Sequence, residues 1–355
     1  MGIKNFIKSL KFKFSKNKFK FVCPGAFSQV YIYHDGRVFL CPDCMMKKEA
    51  EIGNLNNNSF EEIWNSKQAQ KIRKEILKQR YNYCFPPICF SKSNYNNRII
   101  PQKGVEFTPI QKSFPKMVCL GPDWECNVNC VMCRDKLCRY TDDELKNFND
   151  KIDKLYMPIL KDAEVLTLST TSDPFASRST RLLMTTAAKQ YPNLKFSLIT
   201  NGILCDEFNC RETGILDRMS NVMVSIHGSN EETYNKVVRN GNFKRVTENI
   251  KWLSKLKEER KIQGLYLAFV VSSKNYDDIP NFVEFAKQNN AIALFWGCYS
   301  WDNNLSYSDE PLEVTDPAHP KHQHFVEVLN SVEPETPYSK FAAKLLYIRK
   351  HSKKS

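Results

Sequence analysis

The residues best equipped for chemistry are the thirteen cysteines of this chain. Three of them, Cys126, Cys130 and Cys133, fall on one short loop with the spacing C-x3-C-x2-C. Thiolates are the usual ligands of iron-sulfur centres. Three on one loop hold three irons of a 4Fe-4S cluster and leave the fourth iron open to an exogenous ligand. A structural zinc site, with Cys138 as a fourth thiolate, is the alternative, although zinc normally takes four closed ligands in paired C-x2-C knuckles. Cys23, Cys41, Cys44, Cys84 and Cys89 form a second group. Cys119, Cys205, Cys210 and Cys298 share no such spacing and read as buried or surface thiols. No apolar h-region or cleavage site follows the basic N-terminus, so a reducing cytoplasm is expected, where thiols serve metals or redox chemistry.

The elements that must carry these residues divide the 355-residue chain. From residue 117 onward, short apolar runs at 117–122, 164–171, 194–201, 221–228, 265–272 and 292–299 alternate with helix-like stretches. Such runs read as strands buried on both faces. Capping boxes at Thr141 to Glu144 and Ser229 to Glu232 open amphipathic helices between them. The expected fold class is α/β, a parallel sheet of six β/α repeats, open or curled toward a barrel, with ligands at the carboxyl ends of the strands. The three-cysteine loop follows the first strand directly.

Residues 21–92 read as a small α+β unit. It has a hairpin turning at Asp35-Gly36, one long helix from Ser59 to Leu77, and a cysteine-containing loop. Ile63 and Trp64 read as its core. A unit this small gains from a metal staple. Residues 93–115 are polar, contain Pro101, Pro109 and Pro115, and read as a linker. Residues 116–300 form the expected core, and residues 301–355 a C-terminal extension with a basic tail.

A composition with 42% hydrophobic and 26% charged residues excludes wholesale disorder and collagen, and no apolar run is long enough to span a bilayer. The formal net charge of +13 sits at the ends: residues 1–20 hold seven lysines, residues 339–355 hold six Lys or Arg, and neither stretch has an acid. A duplex binder carries its basic stripe on the folded body, so nucleic acid is not an expected partner. Ile3, Phe6, Ile7, Leu10 and Phe14 stand at helical spacing among the first lysines. That pattern suits a basic amphipathic helix at an anionic lipid surface, such as the inner face of the membrane, or a solvated extension. Phe6 stands where a myristoylation motif beginning at Gly2 wants Ser or Thr.

The C-x3-C-x2-C loop after the first strand of a six-fold β/α repeat resembles the radical S-adenosylmethionine (SAM) superfamily over about residues 116–300. The resemblance implies a partial (β/α)6 barrel and an open iron that chelates the amino and carboxylate groups of SAM. Reductive cleavage of SAM then gives methionine and a 5'-deoxyadenosyl radical that abstracts hydrogen from an unactivated C–H bond. Met132 replaces the commoner aromatic residue before the third cysteine and is apolar enough to pack beside adenine. Thr171, Ser172 and Asp173 stand where the superfamily has Gly-Gly-Glu, an acid facing the SAM ammonium; Ser169 and Thr170 end that strand.

Further contacts implied by the resemblance fall at Ser225, at Arg239 toward the SAM carboxylate, and at Val271 and Asn275 around adenine and ribose. A surface Arg on a helix is the plainer account of Arg239. Thr200-Asn201-Gly202 is a ligand contact or a simple turn. His227 stands where many relatives carry Asp, either as a proton carrier near neutral pH or as a hydrogen-bonded structural residue, the second being favoured.

The N-terminal pattern of Cys23, Gly36-x4-Cys41, Ile52-Gly53-Asn54-Leu55, Ser59 to Ser66 and Cys84-x4-Cys89 resembles a SPASM or shorter twitch domain. That resemblance implies one auxiliary 4Fe-4S cluster on Cys23, Cys41, Cys84 and Cys89, with Cys44 an alternative ligand or spare thiol. A zinc ribbon is the competing account, and only Cys41 and Cys44 form its C-x2-C knuckle. The domain generally follows the core and here precedes it, with the linker expected to let it cover the barrel mouth. Together the two resemblances imply an oxidoreductase-like enzyme that modifies a peptide or protein, fed by an electron donor such as flavodoxin or ferredoxin. The same chemistry on a carbohydrate or lipid-linked glycan, or a non-catalytic iron-sulfur or zinc interaction module, are the rivals.

Overall fold

Each of the six apolar runs folds as a strand, because alternate residues find a fully buried place under helices. The computed structural model describes residues 22–85, 106–168, 171–298 and 310–352. Its strands are β1 (Gln29–Ile32), β2 (Arg37–Phe39), β3 (Glu51–Asn54), β4 (Met117–Leu120), β5 (Asn129–Cys130), β6 (Val165–Leu168), β7 (Lys195–Thr200), β8 (Met219–Ser225), β9 (Val238–Arg239), β10 (Gly264–Val271), β11 (Ile292–Gly297), β12 (Glu335–Thr336) and β13 (Ser339–Phe341). The six core strands β4, β6, β7, β8, β10 and β11 pair in parallel, in chain order. Helices such as Arg178–Gln190, Phe243–Glu258 and Ile279–Gln288 make the crossovers. The α/β expectation holds, and Ser169 and Thr170 lie outside the described residues.

The sheet does not end with the core. Its order is β12-β13-β11-β10-β8-β7-β6-β4-β1-β2-β3. Strand β1 runs parallel to β4, from Gln29 opposite Met117 to Ile32 opposite Leu120. The N-terminal unit therefore continues the sheet edge to edge and is not a lid carried over the barrel mouth on a linker. Gly36 turns the β1–β2 hairpin at φ +87°, and a Cβ there would meet Asn54 Oδ1 at 2.6 Å, which is why the Asp-Gly turn needs its glycine.

Register and burial separate the two faces of the sheet. Val118, Leu120, Leu166, Leu168, Phe196 and Leu198 are fully buried in the main core with Leu183, Met184, Ile250 and Leu253 of the helices. On the other face Tyr31, Cys119, Thr167 and Ser197 stand in one row across β1, β4, β6 and β7. Thr167 and Ser197 are only half-buried. This inner, partly open face is the one that can receive ligands.

Other local expectations change. The long helix breaks at Asn65 and Ser66 into Phe60–Trp64 and Lys67–Leu77, because Ser66 Oγ donates to Ile52 O at 2.9 Å while accepting from Ala69 N as an N-cap. Ser59 and Glu62 close a capping box ahead of the break. The helix Glu231–Val237 is capped by Asn230 and not by Ser229, whose N and Oγ both donate to Asp278 at 2.6 Å.

Residues 106–115 are packed onto the N-terminal unit rather than free. Trp64 Nε1 donates to Ser113 O at 2.9 Å, and Gln111 N to Asn65 Oδ1 at 2.9 Å. The fully buried Arg73 lies 4.2 Å from the Trp64 ring centroid and donates to the carbonyls of Ala26, Trp64 and Pro109. Residues 93–105 lie outside the described residues.

The C-terminal basic stretch is likewise largely folded. β13 pairs with β11, the helix Ala343–Ser352 packs behind it, Lys344 pairs with Glu313 at 2.8 Å, and Arg349 donates to the carbonyls of Leu329 and Val332. Lys353, Lys354 and residues 1–20 are outside the described residues. Among the described residues no helix is long and apolar enough to cross a membrane.

Candidate functional site

The three-cysteine loop leaves β4 at the carboxyl end of the sheet and is fixed from outside. Its strand β5 pairs antiparallel with β9, Asn129 opposite Arg239 and Cys130 opposite Val238. Arg239 donates Nε to Asn129 O at 3.0 Å and Nη2 to Arg134 O at 2.7 Å. Arg239 thus grips the backbone on either side of the Cys130–Cys133 segment, a task that neither sequence reading assigned to it. Asn240 Nδ2 adds a bond to Asn129 Oδ1 at 2.6 Å.

Two sulfurs of the loop accept hydrogen bonds from fixed donors. Arg134 Nε and Nη2 stand 3.4 and 3.5 Å from Cys133 Sγ, and Asn201 Nδ2 stands 3.7 Å from Cys126 Sγ. Arg134 is held by the carbonyls of Trp124 and, at 2.6 Å, Thr171, and its guanidinium lies 5.4 Å from the Trp124 ring centroid. Burial works against its charge, but Cys133, Cys126 and Cys130 outweigh this and hold its pKa above the ordinary value. Burial, with Asp173 next, pushes the Cys126 thiol up to about 11; burial and then Cys133 and Cys126 raise Cys130 also. A metal centre here therefore binds with release of protons. The sequence signal for Arg134 was its place directly after Cys133.

Behind the loop stands a buried acidic frame. Asp123 is fully buried, its carboxylate accepting from Ser177 Oγ at 2.5 Å and Glu125 N at 3.0 Å, and burial raises its pKa. Glu125 pairs with Arg178 at 2.7 Å. Asp173 is 1% exposed, and its oxygens accept from Phe175 N, Ala176 N, Thr200 Oγ1 and Asn201 N at 2.7 to 3.1 Å. Its carboxylate ties the ends of β6 and β7 together, while Thr171 Oγ1 donates to Asp123 O at 2.6 Å and Ser172 is half-buried beside it. Gly202 turns away at φ +83°, where a Cβ would meet Val224 Cγ1 at 2.7 Å.

At the mouth of β8, Ser225 is half-buried and pairs with Ala268. His227 is buried in the left-handed region at φ +60°, its Nδ1 accepting from Val270 N at 3.2 Å. Burial lowers its pKa to about 4, so it is neutral at pH 7 with its proton on Nε2. Asn275 is also fully buried, donating to His227 O and Val270 O and accepting from Ser272. These three residues brace β8 against β10.

The second thiol group gathers on the inner face of the N-terminal unit. Cys44 hydrogen-bonds with Cys41 and Cys84, and these contacts, with burial, hold its pKa well above the ordinary value. Burial and then the neighbouring Cys41 push Cys23 up to about 12. Tyr31, Tyr33, Phe39 and Ala50 enclose the group, with Tyr83 and Trp124 packed against it. Cys44 is thus an integral member, and Cys89 lies outside the described residues. Tyr33 stands 6.3 Å from Trp124, ring centroid to ring centroid, so an aromatic contact joins the two thiol groups.

Among the described residues no three His, Cys, Asp or Glu side chains form a group that could hold one metal ion. A four-iron cluster places each thiolate on a different iron, so its donors stand wider than those around a single ion. Two all-thiol donor sets, one with N–H donors on its sulfurs and one in an aromatic shell, fit that group by their chemistry.

Residues 23–89 match the model of SPASM, an iron-sulfur cluster-binding domain. No curated protein sequence matches the chain. Solved structures similar to it include anSMEcpe with bound AdoMet, at 18% identity and TM-score 0.41 over 61% of this chain and 56% of that one. Another is anSMEcpe with AdoMet and the Cp18Cys peptide, at 17% identity and TM-score 0.40 over 63% of this chain and 62% of that one. TYW1 with a lysine-pyruvate adduct bound follows at 14% identity and TM-score 0.35, over 59% of this chain and 71% of that one. None of these three scores reaches 0.5, and the chemistry rests on the residues of this chain.

Proposed function

We propose that this protein is a radical SAM enzyme with an auxiliary iron-sulfur cluster, acting on a C–H bond of a peptide or protein. The observation that carries this proposal is the loop of Cys126, Cys130 and Cys133: thiols alone, at the carboxyl end of the first core strand, with N–H donors on two of three sulfurs. When bound there, a 4Fe-4S cluster supplies the electron that breaks a C–S bond of SAM to give methionine and a 5'-deoxyadenosyl radical.

The chain's own residues bind and orient. Arg239 sets the loop's position, Arg134 places positive charge beside the sulfurs, and Asp173 with Asp123 keeps the strand ends in register. Ser225, half-buried at the end of its strand, remains accessible from the inner face for contact with SAM. Cys23, Cys41 and Cys84, with Cys89 or alternatively Cys44 as the fourth thiolate, would hold the auxiliary cluster, where it can orient substrate or accept an electron. The peptide substrate is supported by the SPASM domain, since the enzymes that this pattern resembles usually act on peptides or proteins. A flavodoxin or ferredoxin in a reducing cytoplasm would supply the electron.

The test is anaerobic reconstitution with iron and sulfide, followed by dithionite and SAM. Release of 5'-deoxyadenosine is expected, and it should vanish when Cys126, Cys130 and Cys133 are all changed to Ala. Product from the triple variant would sink the proposal.

A further inference from the structure

Cys119 shared no spacing with the other cysteines in sequence, yet the fold brings it to them. It lies on β4, the first strand of the core, and faces the opposite way from its neighbours Val118 and Leu120, which point into the main core. Pairing of β1 with β4 sets Cys119 directly beside Tyr31, on the same face of the sheet. There it joins Tyr31, Tyr33, Phe39, Cys44 and Ala50 in one apolar cluster, with Cys41, Cys84, Tyr83 and Trp124 packed against it.

We propose that Cys119 is one of the four thiolate ligands of the auxiliary cluster, in place of one of the cysteines that the N-terminal pattern supplies, so that this site is built across the junction between the SPASM domain and the core. The proposal rests on residues 23–89 binding a cluster. Three features support it beyond position. Cys119 is 6% exposed, within a shell that excludes water. Cys41 and Cys84 of the N-terminal unit pack against the same apolar cluster that holds Cys119 and Cys44, so thiols of both units meet at one enclosure. Finally, a residue in the middle of a parallel strand, bonded to β1 on one side and β6 on the other, is a more rigid donor than one on a loop. Ligation exchanges the Cys119 S–H for an iron–sulfur bond and releases the proton to solvent.

The experiment uses the full chain carrying Cys126→Ala, Cys130→Ala and Cys133→Ala, which leaves only the auxiliary site to be read. Iron, sulfide and the EPR spectrum of the reduced protein are measured after anaerobic reconstitution. Adding Cys119→Ala should lower iron and sulfide severalfold, as Cys41→Ala does, whereas Cys298→Ala, a buried thiol remote from this cluster, should leave both unchanged. Cys119→Ser keeps the side chain's size and an oxygen donor, so it should fold, retain a cluster and shift its EPR signal. Unaltered iron, sulfide and spectrum in both Cys119 variants would overturn the proposal. A triple variant that binds no iron at all would overturn both it and the auxiliary-cluster reading beneath it.

Discussion

Arg134 directs two N–H groups of its guanidinium at the sulfur of Cys133, at 3.4 and 3.5 Å. Hydrogen bonds and positive charge at a ligating sulfur stabilise the more negative, reduced state of an iron-sulfur centre. Arg134→Gln should therefore lower the reduction potential of the cluster on this loop, by roughly 60 mV for each tenfold change in equilibrium. Arg134→Lys, which keeps the charge and loses the fork, should fall between. An EPR-monitored redox titration reads this directly, and a potential that does not move in Arg134→Gln would remove the tuning role.

His227 gives a pH dependence with a definite sign. Its folded pKa of about 4 lies below the ordinary 6.5 because burial disfavours the charged ring. The unfolded chain therefore takes up a proton first. The stability linked to His227 is complete above pH 6.5 and is lost as pH falls toward 4, amounting to up to about 3 kcal/mol. His227→Asn, which tolerates the left-handed backbone, should flatten this part of the profile. Chemical denaturation at several pH values checks it.

Asp173 accepts four hydrogen bonds with two oxygens. An amide in its place has one acceptor oxygen and turns an NH2 toward donors. Asp173→Asn should destabilise the fold by roughly 1–3 kcal/mol for each donor left stranded. Loosening Asn201 should also weaken its contact with Cys126. The expected result is a lowered thermal midpoint together with reduced iron retention; an unchanged midpoint would show that the carboxylate is not structural.

Residues 1–20 carry seven lysines, and each lysine near an anionic surface contributes about 1 kcal/mol at low salt. Deleting them should abolish sedimentation with anionic vesicles, and raising salt should weaken binding of the full chain. Because Lys344 and Arg349 are engaged within the fold, removing the last three residues should change binding little. Equal binding by the chain lacking residues 1–20 would place the contact elsewhere.

Much of this architecture is legible from residue order. The core strands can be read because their apolar runs, such as Leu265 to Val271, are continuous and bounded by helix caps. The three-cysteine loop can be read because its spacing is local. The union of β1 with β4 cannot, since nothing in either strand names a partner so far along the chain. Cys119 is hidden for the same reason: its chemistry depends on which face of β4 it occupies and on what β1 places beside it. Ser229 misleads because Asp278, a distant residue, outbids the helix start for its hydroxyl. Asp173 and Arg239 are visible as charged residues near the expected site, but whether a charge meets a ligand or the protein's own backbone is settled only by tertiary geometry.

The pairing of Gln29–Ile32 with Met117–Leu120 also orders events during synthesis. A ribosome makes the N-terminal strand long before its partner, so the nascent chain presents a strand edge with unsatisfied N–H and C=O groups until residue 120 has emerged. Such an edge is a template for pairing with another chain, and distant strand pairing is slow to close. The half-made protein is thus exposed to self-association at the very seam that becomes continuous sheet in the finished one. Growth temperature and translation rate should then affect its soluble yield more than a core with only local pairings would.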